Sequence, residues 1–556
     1  MKTSPNPIEK TILAMSLIFA FIYILPLNFR PLAIPDETRY AEIPREMIAS
    51  GDFTVPHLNG LKYFEKPVLG YWLNAVSIKI FGENPFAVRL TSVISAGLSA
   101  LLIFFMSAKF IGGAEKGLVA SGIFLTFIEI FGTGVFSLLD GMLALFLTIC
   151  LCVFFLAWDN RIFKKKYYFY LTCSGVFCGL ACLTKGFIAF AVPVFVIVPF
   201  LIWEGEWKKI FSVAWLPLGV AVIVMLPWGI RIHLKAPDFW NFFFWHEHIK
   251  RFLSDHAQHK ASFFYFFLVM PLGAIPWIFL APASIKGLKG KIVKSPFLRY
   301  SICWLAFPFL FFSMSSGKLL TYILPCFPPL AILMASGLSA YMESGKKRLF
   351  NGGALALISF PAIVIISLAV LQSGIIKSIV PIPYTNAWKP IVFVLVMISF
   401  ACFLYAAARS ENAKKKIALF ALAPVLFYFA VNFLPPDETV MRKFPGKLLI
   451  RNRDKINKDT LIFSPSTPVR AVCWYFKRSD VFMLDKGELS YGLKQPDAAH
   501  RLVSIGQFEK VASRDQGNGK IALVMDANKY RKLKKNLPVP VFMDSTGHNG
   551  FIFALF

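Results

Sequence analysis

Charged side chains are scarce in this chain of 556 residues: they make up 16% of it, whereas hydrophobic side chains make up 56%. A soluble fold must cover its surface with polar groups, so this composition excludes an ordinary soluble domain. Acidic residues are scarcer still, 31 against 59 Lys and Arg, which leaves a net charge of +28. Most of the charge separates apolar runs of about 17–23 residues, enough to cross a bilayer as helices. We expect a polytopic α-helical membrane protein.

Other absences narrow the function. No Walker-type glycine loop follows a predicted strand, so we expect no nucleotide cofactor. Eight of the nine cysteines lie in or beside apolar runs and only Cys473 lies in the polar tail, which argues against disulfides within the tail. The basic excess would suggest nucleic acid in a soluble protein. Here it falls in short loops between apolar runs, so we expect no nucleic-acid partner.

Thirteen apolar runs are predicted to span the membrane. They are residues 11–29, 90–112, 117–135, 137–157, 168–184, 186–203, 211–232, 263–283, 298–314, 319–340, 352–372, 388–408 and 417–434. The first lacks a small-residue cleavage site and is interpreted as a retained anchor. Residues 67–82 mix aromatic and polar side chains, which predicts an amphipathic helix at the interface.

Five basic loops alternate onto one side under this count, which the positive-inside rule makes cytoplasmic, together with the N-terminus. The other, outer side then receives loops 30–89 and 233–262 and the tail. We predict a transmembrane domain over 1–434 and a small α/β domain outside the membrane over 435–556. In the tail, β-prone runs (TLIFSP, VCWYF, VFML, KIALVMD and GFIFALF) alternate with helical stretches such as NKYRKLKKN.

The stretch PDETRYAEIPRE at 35–46 concentrates both signs of charge directly after the first apolar run. Its charged residues are Asp36, Glu37, Arg39, Glu42, Arg45 and Glu46. One interpretation makes Asp36 the N-cap of a helix, its carboxylate accepting a backbone N–H. That explains one acid and leaves the alternation of charges unexplained, so a catalytic role for Asp36 stays open beside it.

Tight outer turns hold further polar residues between apolar segments. Asp140 lies where one span ends and the next begins, and a carboxylate there costs free energy unless it is paired or hydrated. Lys185 in CLTKGFIAF, and Lys318 with Tyr322 in SSGKLLTYILP, repeat the pattern. Taken singly, each lysine is explained as a snorkelling interfacial side chain. Together, on one side of the membrane, these groups indicate an anionic ligand.

Loop 233–262 contains five of the eight histidines: His233, His246, His248, His256 and His259. Their spacing permits a metal site with Glu65 or Glu247 as an oxygen ligand, but no HExxH-type signature is present. Interfacial histidines beside belt aromatics are the alternative. Arg251 in the same loop is a candidate phosphate ligand.

Polar groups at one membrane edge favour an enzyme acting on a lipid-borne substrate. A transporter should instead have Gly/Pro-interrupted helices or repeat symmetry with polar groups near the midplane. A transporter for a lipid-linked sugar remains the alternative from another class, and it would tolerate loss of Asp36.

The segment PDETRYAEIPREMIASGDFTVPHLNGLKYFEKPVLGYW strongly resembles the first periplasmic loop of the bacterial 4-amino-4-deoxy-L-arabinose transferases that modify lipid A. These are GT-C membrane glycosyltransferases of the protein O-mannosyltransferase superfamily. The resemblance continues in LTKGFIAFAVPV, FWHEHIKRFLSDHAQHKA and GKLLTYIL, and in GELSYGLKQPDAAHRLVS in the tail. It implies a multi-pass protein of the bacterial inner membrane, an undecaprenyl phosphate-linked sugar donor, a lipid A acceptor and resistance to cationic peptides such as polymyxin. We expect a monomer.

The resemblance also implies roles for individual residues. Asp36 would be the catalytic carboxylate, and we add Asp140 as a second candidate. The carrier phosphate and donor would be bound by Arg39, Tyr40, Tyr63, Lys66, Lys185, Arg251, Lys318 and Tyr322. A divalent metal such as zinc would bind Glu65 and His248, with His246 or His259 as further candidates.

Lipid A phosphate is already ionised at neutral pH and scarcely needs a general base. We therefore hypothesise that Asp36 orients the amino-sugar and stabilises positive charge developing at its anomeric carbon, although a general base is the usual assignment in the superfamily. The alternative within the same class is a GT-C enzyme that transfers a hexose from a polyprenyl phosphate to protein or glycan.

Overall fold

The computed structural model describes residues 7–250, 260–375, 381–514, 517 and 519–556, without the side chains of residues 7 and 246–250. Its α-helices are α1 (Pro7–Phe19), α2 (Asp36–Ser50), α3 (Leu69–Phe81), α4 (Pro85–Ser107), α5 (Ala114–Leu125), α6 (Ile128–Gly134), α7 (Leu139–Asp159), α8 (Lys164–Lys185), α9 (Ile188–Trp203), α10 (Ile210–Lys235), α11 (Asp238–Trp240), α12 (Tyr265–Gly273), α13 (Ala281–Leu288), α14 (Pro296–Met314), α15 (Phe327–Glu343), α16 (Arg348–Leu357), α17 (Ser359–Gln372), α18 (Trp388–Arg409), α19 (Ala413–Leu422), α20 (Val425–Ala430), α21 (Asp437–Lys443), α22 (Gly446–Arg451), α23 (Ser466–Phe476), α24 (Ile505–Arg514) and α25 (Ala527–Leu533). The strands are β1 (His57–Leu58), β2 (Leu61–Lys62), β3 (Leu461–Ser464), β4 (Phe482–Met483), β5 (Ile521–Asp526), β6 (Phe542–Ser545) and β7 (Phe551–Leu555).

Nine helical segments of the described chain are long and apolar enough to cross a membrane, and two bent helix pairs are candidates for further spans. The remaining two of the thirteen predicted runs fall on the shorter helix α9 and on the α19–α20 pair. The prediction of a polytopic helical membrane protein is therefore confirmed. The stretch predicted to lie at the interface is also helical, as α3.

Both bent pairs bend sharply at short breaks. Helices α5 and α6 meet at 68°, where Phe127 adopts an extended backbone conformation. Helix α12 and the segment Trp277–Leu288 meet at 92° across Pro276. Proline has no N–H to continue the helical hydrogen-bond ladder, which explains the break there.

The chain divides into two compact units. The first comprises Met1–Pro26, Thr91–Ser367 and Pro390–Val431, and it contains most of the apolar helices. The second comprises Leu27–Leu90, Leu368–Lys389 and Asn432–Phe556. The first polar loop and the tail thus belong to one unit, although nearly 350 residues separate them in sequence. The predicted division at residue 434 stays a prediction.

The tail forms a five-stranded sheet with the strand order β4-β3-β5-β7-β6. Strand β3 pairs parallel with β4 and β5, whereas β5, β7 and β6 pair antiparallel, with Val524 opposite Phe553. The hydrophobic core on this sheet includes Phe463, Leu523 and Tyr530. The predicted small α/β domain is confirmed.

One predicted strand in the tail is wrong. VCWYF lies in helix α23, which begins directly after Pro465. Val469, Val472 and Phe476 are buried at helical spacing, and Trp474 packs against Leu32 and Ala41 of the first loop. Tertiary burial of a helix overrides the β-propensity of these residues.

Candidate active site

The charged stretch after the first apolar run folds as α2. Gly51, with φ of 73°, ends the helix in the left-handed conformation that glycine adopts most readily. Asp36 is the first helical residue and is preceded by Pro35, so its interpretation as an N-cap is wrong. Its carboxylate accepts a hydrogen bond from Arg39 Nη1 at 3.0 Å, and negative charge in a first turn suits the helix dipole.

Glu37 is fully buried and lies between two arginines. Arg30 Nη1 donates to it at 2.6 Å, and Arg89 donates through Nε at 2.6 Å and Nη2 at 2.8 Å. Arg89 also donates to the backbone oxygens of Leu27 and Pro31. Burial opposes ionisation of Glu37, but the charges of Arg89 and Arg30 outweigh it and hold its pKa at about 2. This cluster fixes the chain where it enters α2.

Further along α2, Arg45 donates two hydrogen bonds to Glu42, at 2.7 and 2.6 Å. Glu46 accepts the backbone N–H groups of Asn59 and Gly60 at 2.6 and 2.8 Å, which holds the β1–β2 turn. Burial raises the pKa of both Glu42 and Glu46.

A different arrangement surrounds Asp36. Arg39 joins Asp36 to Glu488 of the tail, donating to both Glu488 oxygens at 2.8 and 2.7 Å. Arg470, from α23, donates to the same Glu488 carboxylate at 2.5 Å. Burial disfavours charge on Glu488, but Arg39 and Arg470 outweigh it and lower its pKa. Asp36 is the most accessible of the three, with 41% of its side chain exposed against 31% for Glu488 and 11% for Arg39.

The YFEK segment borders the same carboxylate. The Tyr63 hydroxyl donates to Glu65 at 2.8 Å and lies 3.4 Å from Glu488 Oε2. Lys66 Nζ donates to the backbone oxygen of Glu65 at 2.8 Å. Tyr40 is buried and packs on Tyr71 at 6.2 Å between ring centroids, and the Arg39 guanidinium lies 5.7 Å from the centroid of the Tyr40 ring. These residues join Asp36 in a compact polar group.

The first unit contains a second polar group at helix ends. Asp140, in the first turn of α7, receives Lys185 Nζ from the end of α8 at 2.5 Å and the Thr321 hydroxyl at 2.9 Å. Lys185 Nζ also lies 4.6 Å from the ring centroid of Tyr322. Asp140 and Lys185 lose hydration at this apolar helix pair, and their mutual attraction compensates for part of that cost. The hydrogen bond also fixes the position of Lys185.

Lys318 binds backbone oxygens rather than the Asp140 group. Its Nζ donates to the backbone oxygen of Ala261 at 3.0 Å and to that of Ser315. These hydrogen bonds connect two loops, which gives Lys318 a role in the structure independent of any ligand.

Part of the expected site lies outside the described residues: Arg251, His256 and His259, and the side chains of His246 and His248. Within the described residues, no group of three His, Cys, Asp or Glu side chains is able to hold a metal ion. The one described ligand of the expected set is Glu65, which already accepts the Tyr63 hydroxyl.

Relatives identify the family. The chain is 40% identical over 498 residues to the undecaprenyl phosphate-alpha-4-amino-4-deoxy-L-arabinose arabinosyl transferase of Shewanella sediminis, covering 88% of this chain and 90% of that protein. The enzyme of the same name from Aeromonas hydrophila is 38% identical, with 93% and 94% covered. This chain belongs to the undecaprenyl phosphate-aminoarabinose arabinosyl transferase family. The resemblance noted in the sequence is thereby confirmed.

Two family models match separate parts of this arabinosyl transferase chain. Residues 9–243 match the dolichyl-phosphate-mannose-protein mannosyltransferase family, and residues 440–553 match the C-terminal domain of the arabinosyl transferase ArnT. The fold is similar to that of ArnT from Cupriavidus metallidurans in its undecaprenyl phosphate-bound crystal structure, with a TM-score of 0.84 and 22% identity over 99% of this chain and 98% of that one. An archaeal oligosaccharyltransferase from Archaeoglobus fulgidus matches at a TM-score of 0.52 and 12% identity, with 95% of this chain and 70% of that chain covered. The predicted GT-C fold is confirmed.

Within this arabinosyl transferase family member, sequence reasoning missed two partners. Glu488 lies in the quoted motif GELSYGLKQPD, yet that motif served only to support the resemblance. Thr321 directly precedes Tyr322 and binds Asp140. Neither residue stands out by type or spacing, because its partner is distant in sequence.

Proposed function

We propose that this chain is an integral-membrane glycosyltransferase that moves 4-amino-4-deoxy-L-arabinose from undecaprenyl phosphate to a phosphate of lipid A. The observation on which the proposal depends is the environment of Asp36. It is the exposed carboxylate at the start of α2, beside buried carboxylates that are paired with arginines or backbone N–H groups. A carboxylate in this state is able to meet a cationic centre on a substrate. The names of the relatives support the donor, and the resemblance of the first loop to transferases that modify lipid A supports the acceptor.

In the proposed reaction, the bond between the anomeric carbon and the carrier phosphate oxygen breaks. A bond from an ionised oxygen of the acceptor phosphate forms at that carbon, and undecaprenyl phosphate leaves with the electron pair of the broken bond. Asp36 stabilises positive charge at the anomeric carbon as the bond breaks. No proton has to leave the acceptor, which removes the need for a general base.

The cationic groups have the complementary role. We assign Lys66, Lys185 and Arg251 to the departing phosphate, with Tyr322 beside Lys185. Charge on that phosphate grows as the bond breaks, so these interactions strengthen in the transition state and raise turnover as well as affinity. Asp140 acts through Lys185 as a positioning residue, since its carboxylate binds the Lys185 ammonium. Each of these roles is assigned to a side chain of the protein itself.

Further assignments belong to the same proposal. Arg39, held by Glu488, and Tyr63 line the donor site, with Tyr40 packed behind Arg39. Lys318 is assigned to donor binding as well, and Glu65 with His248 would be the place for a metal ion. Five basic loops support an orientation with a cytoplasmic N-terminus and with the site and tail in the periplasm of a Gram-negative bacterium.

The test compares wild type with Asp36→Asn in a Gram-negative host that supplies the donor but lacks its own transferase. Lipid A is then analysed by mass spectrometry at equal protein level. We expect an aminopentose mass increment with wild type and a loss of about 10²–10³-fold in the variant, the scale of losing one preorganised transition-state contact. Asp480→Asn, which removes an exposed carboxylate paired with Arg478, is the matched control and should retain the increment.

An active Asp36→Asn variant would contradict the assigned role of Asp36. Well-folded wild type that yields no aminopentose increment would contradict the substrate assignment instead, and would favour a hexose donor.

A further inference from the structure

The sheet of the tail ends in an edge strand that exposes apolar side chains. Val539, Val541 and Met543 are 78%, 60% and 50% exposed, and they alternate with the more buried Phe542 and Asp544. We call these three residues the Val539 strip. The Val541 N–H donates to the backbone oxygen of Leu555, which extends the pairing with β7 by one residue, and the chain bends at Val541 before β6 begins.

The opposite face of the same strand has partners. Arg451 donates to Asp544 at 2.6 and 2.7 Å, and Lys455 Nζ lies 4.2 Å from the ring centroid of Phe542. The exposure is therefore confined to one face of the strand. An edge strand with exposed apolar residues is a recognised site of association, because its outer N–H and C=O groups are also open.

Three lysines precede the strip: Lys532, Lys534 and Lys535. All three are exposed and form no ion pair with a described residue. Their backbone is fixed, because Tyr530 and Leu537 are buried in the core on either side and Lys534 N–H donates to Tyr530. Lys535 lies four residues from Val539, which limits their Cα separation to about 14 Å.

Apolar side chains beside unpaired lysines match the interface of an anionic bilayer. Apolar groups gain by entering the boundary between headgroups and acyl chains, and lysines gain by binding lipid phosphates. A second copy of this chain is a poorer fit, since a two-fold contact through β6 would bring two lysine clusters to one interface.

We propose that the Val539 strip and Lys532, Lys534 and Lys535 form a docking surface for the anionic phospholipids of the membrane that holds the chain. The three apolar side chains enter the interface and the three ammonium groups bind headgroup phosphates. The proposal concerns the position of the tail and is independent of the sugar that is transferred.

The test measures hydrogen–deuterium exchange of the full chain in nanodiscs. One set of discs contains phosphatidylcholine alone and the other contains one third phosphatidylglycerol. We expect backbone amides of residues 532–545 to exchange at least fivefold more slowly in the anionic discs, because docking removes the open strand edge from water. Lys532→Glu/Lys534→Glu/Lys535→Glu should abolish the difference, and Val539→Ser/Val541→Ser should reduce it.

The matched control is Lys510→Glu/Arg514→Glu/Lys520→Glu, which makes the same charge change elsewhere on the tail and should retain the protection. Equal exchange in the two kinds of disc would overturn the proposal. Protection that appears only in discs with two copies of the chain would also overturn it, by assigning the strip to self-association.

Discussion

The two sides of helix α2 use the same residue types for different purposes. On one side Glu37 is completely buried and accepts two hydrogen bonds from Arg30, two from Arg89 and one from the Ala33 N–H. On the other side Asp36, its immediate neighbour, is 41% exposed and bound by one arginine nitrogen. Charge density alone does not distinguish the two. The number of partners does, and a carboxylate with few partners is the one available to a substrate.

The arginines differ in the same way. Arg89 and Arg45 each place two nitrogens on a single buried carboxylate, a geometry that fixes both side chains. Arg39 instead divides its nitrogens between Asp36 and Glu488, which come from different parts of the second unit. The buried side of α2 therefore acts as a rigid support, and the exposed side presents Asp36, whose partner Arg39 is fixed in turn by Glu488.

The largest expected effect is that of removing the negative charge of Glu37 on the stability of the chain. Glu37→Gln leaves Arg30 and Arg89 buried near each other without a negative partner. Removing one member of a buried ion pair costs about 3–5 kcal/mol. We expect that loss in the free energy of unfolding, measured by denaturant titration of the detergent-solubilised chain.

The control for that variant is Glu83→Gln. Glu83 pairs with Lys477 near the surface, where both side chains are about one third exposed. Exposed pairs contribute roughly 0–1 kcal/mol, so this variant should stay near wild type. A Glu37→Gln chain as stable as Glu83→Gln would remove the structural role assigned to the buried side.

These contrasts also explain what the sequence was able to predict. The thirteen apolar runs were found because a span must be apolar over most of its length, whatever it packs against. In the tail, KIALVMD and GFIFALF form strands β5 and β7 as predicted, since both are continuous buried runs. VCWYF failed because its burial depends on α2 and the first loop, and β6 was missed because FMDS includes an acid whose partner is Arg451.

The site was predictable to the same extent. Local charge and family motifs mark Asp36, Arg39 and the YFEK segment, which the structure brings together around Glu488, while their roles stay a prediction. The division of α2 into two sides was not predictable, since Arg89 lies 52 residues from Glu37 and Glu488 lies 449 residues from Arg39. Pairing over such separations is decided by the fold, and no local pattern records it.

Acid should weaken the same buried cluster in the wild-type protein. The pKa of Glu37 is about 2 in the folded chain against 4.5 for an unperturbed glutamate. A lowered pKa stabilises the folded state above pH 4.5, and that contribution is lost as the pH falls through about 2. A shift of this size corresponds to about 3 kcal/mol.

The measurement is the difference in unfolding free energy between wild type and Glu37→Gln, followed from pH 7 to pH 2. Other acids titrate in this range, but they do so in both proteins and cancel in the difference. We expect the difference to shrink below pH 4.5. A difference that stays constant to pH 2 would mean that Glu37 is not held ionised by its arginines.

The smallest expected effect is also the most selective, and it compares two arginine-to-lysine changes on one helix. Arg39→Lys keeps the charge, but a single ammonium cannot reproduce the planar fork that joins Asp36 to Glu488. We expect transfer activity to fall about tenfold, which corresponds to ~1.4 kcal/mol, while stability changes little because Arg470 still pairs with Glu488.

Arg45→Lys should do the reverse: it loses one of two bonds to buried Glu42, which lowers stability, and leaves activity unchanged at a temperature where the chain is folded. The lipid A assay measures the activity of both variants, and their denaturant midpoints measure stability. If both variants lose activity in proportion to stability, the two sides of α2 act as one unit and the distinction drawn between them is wrong.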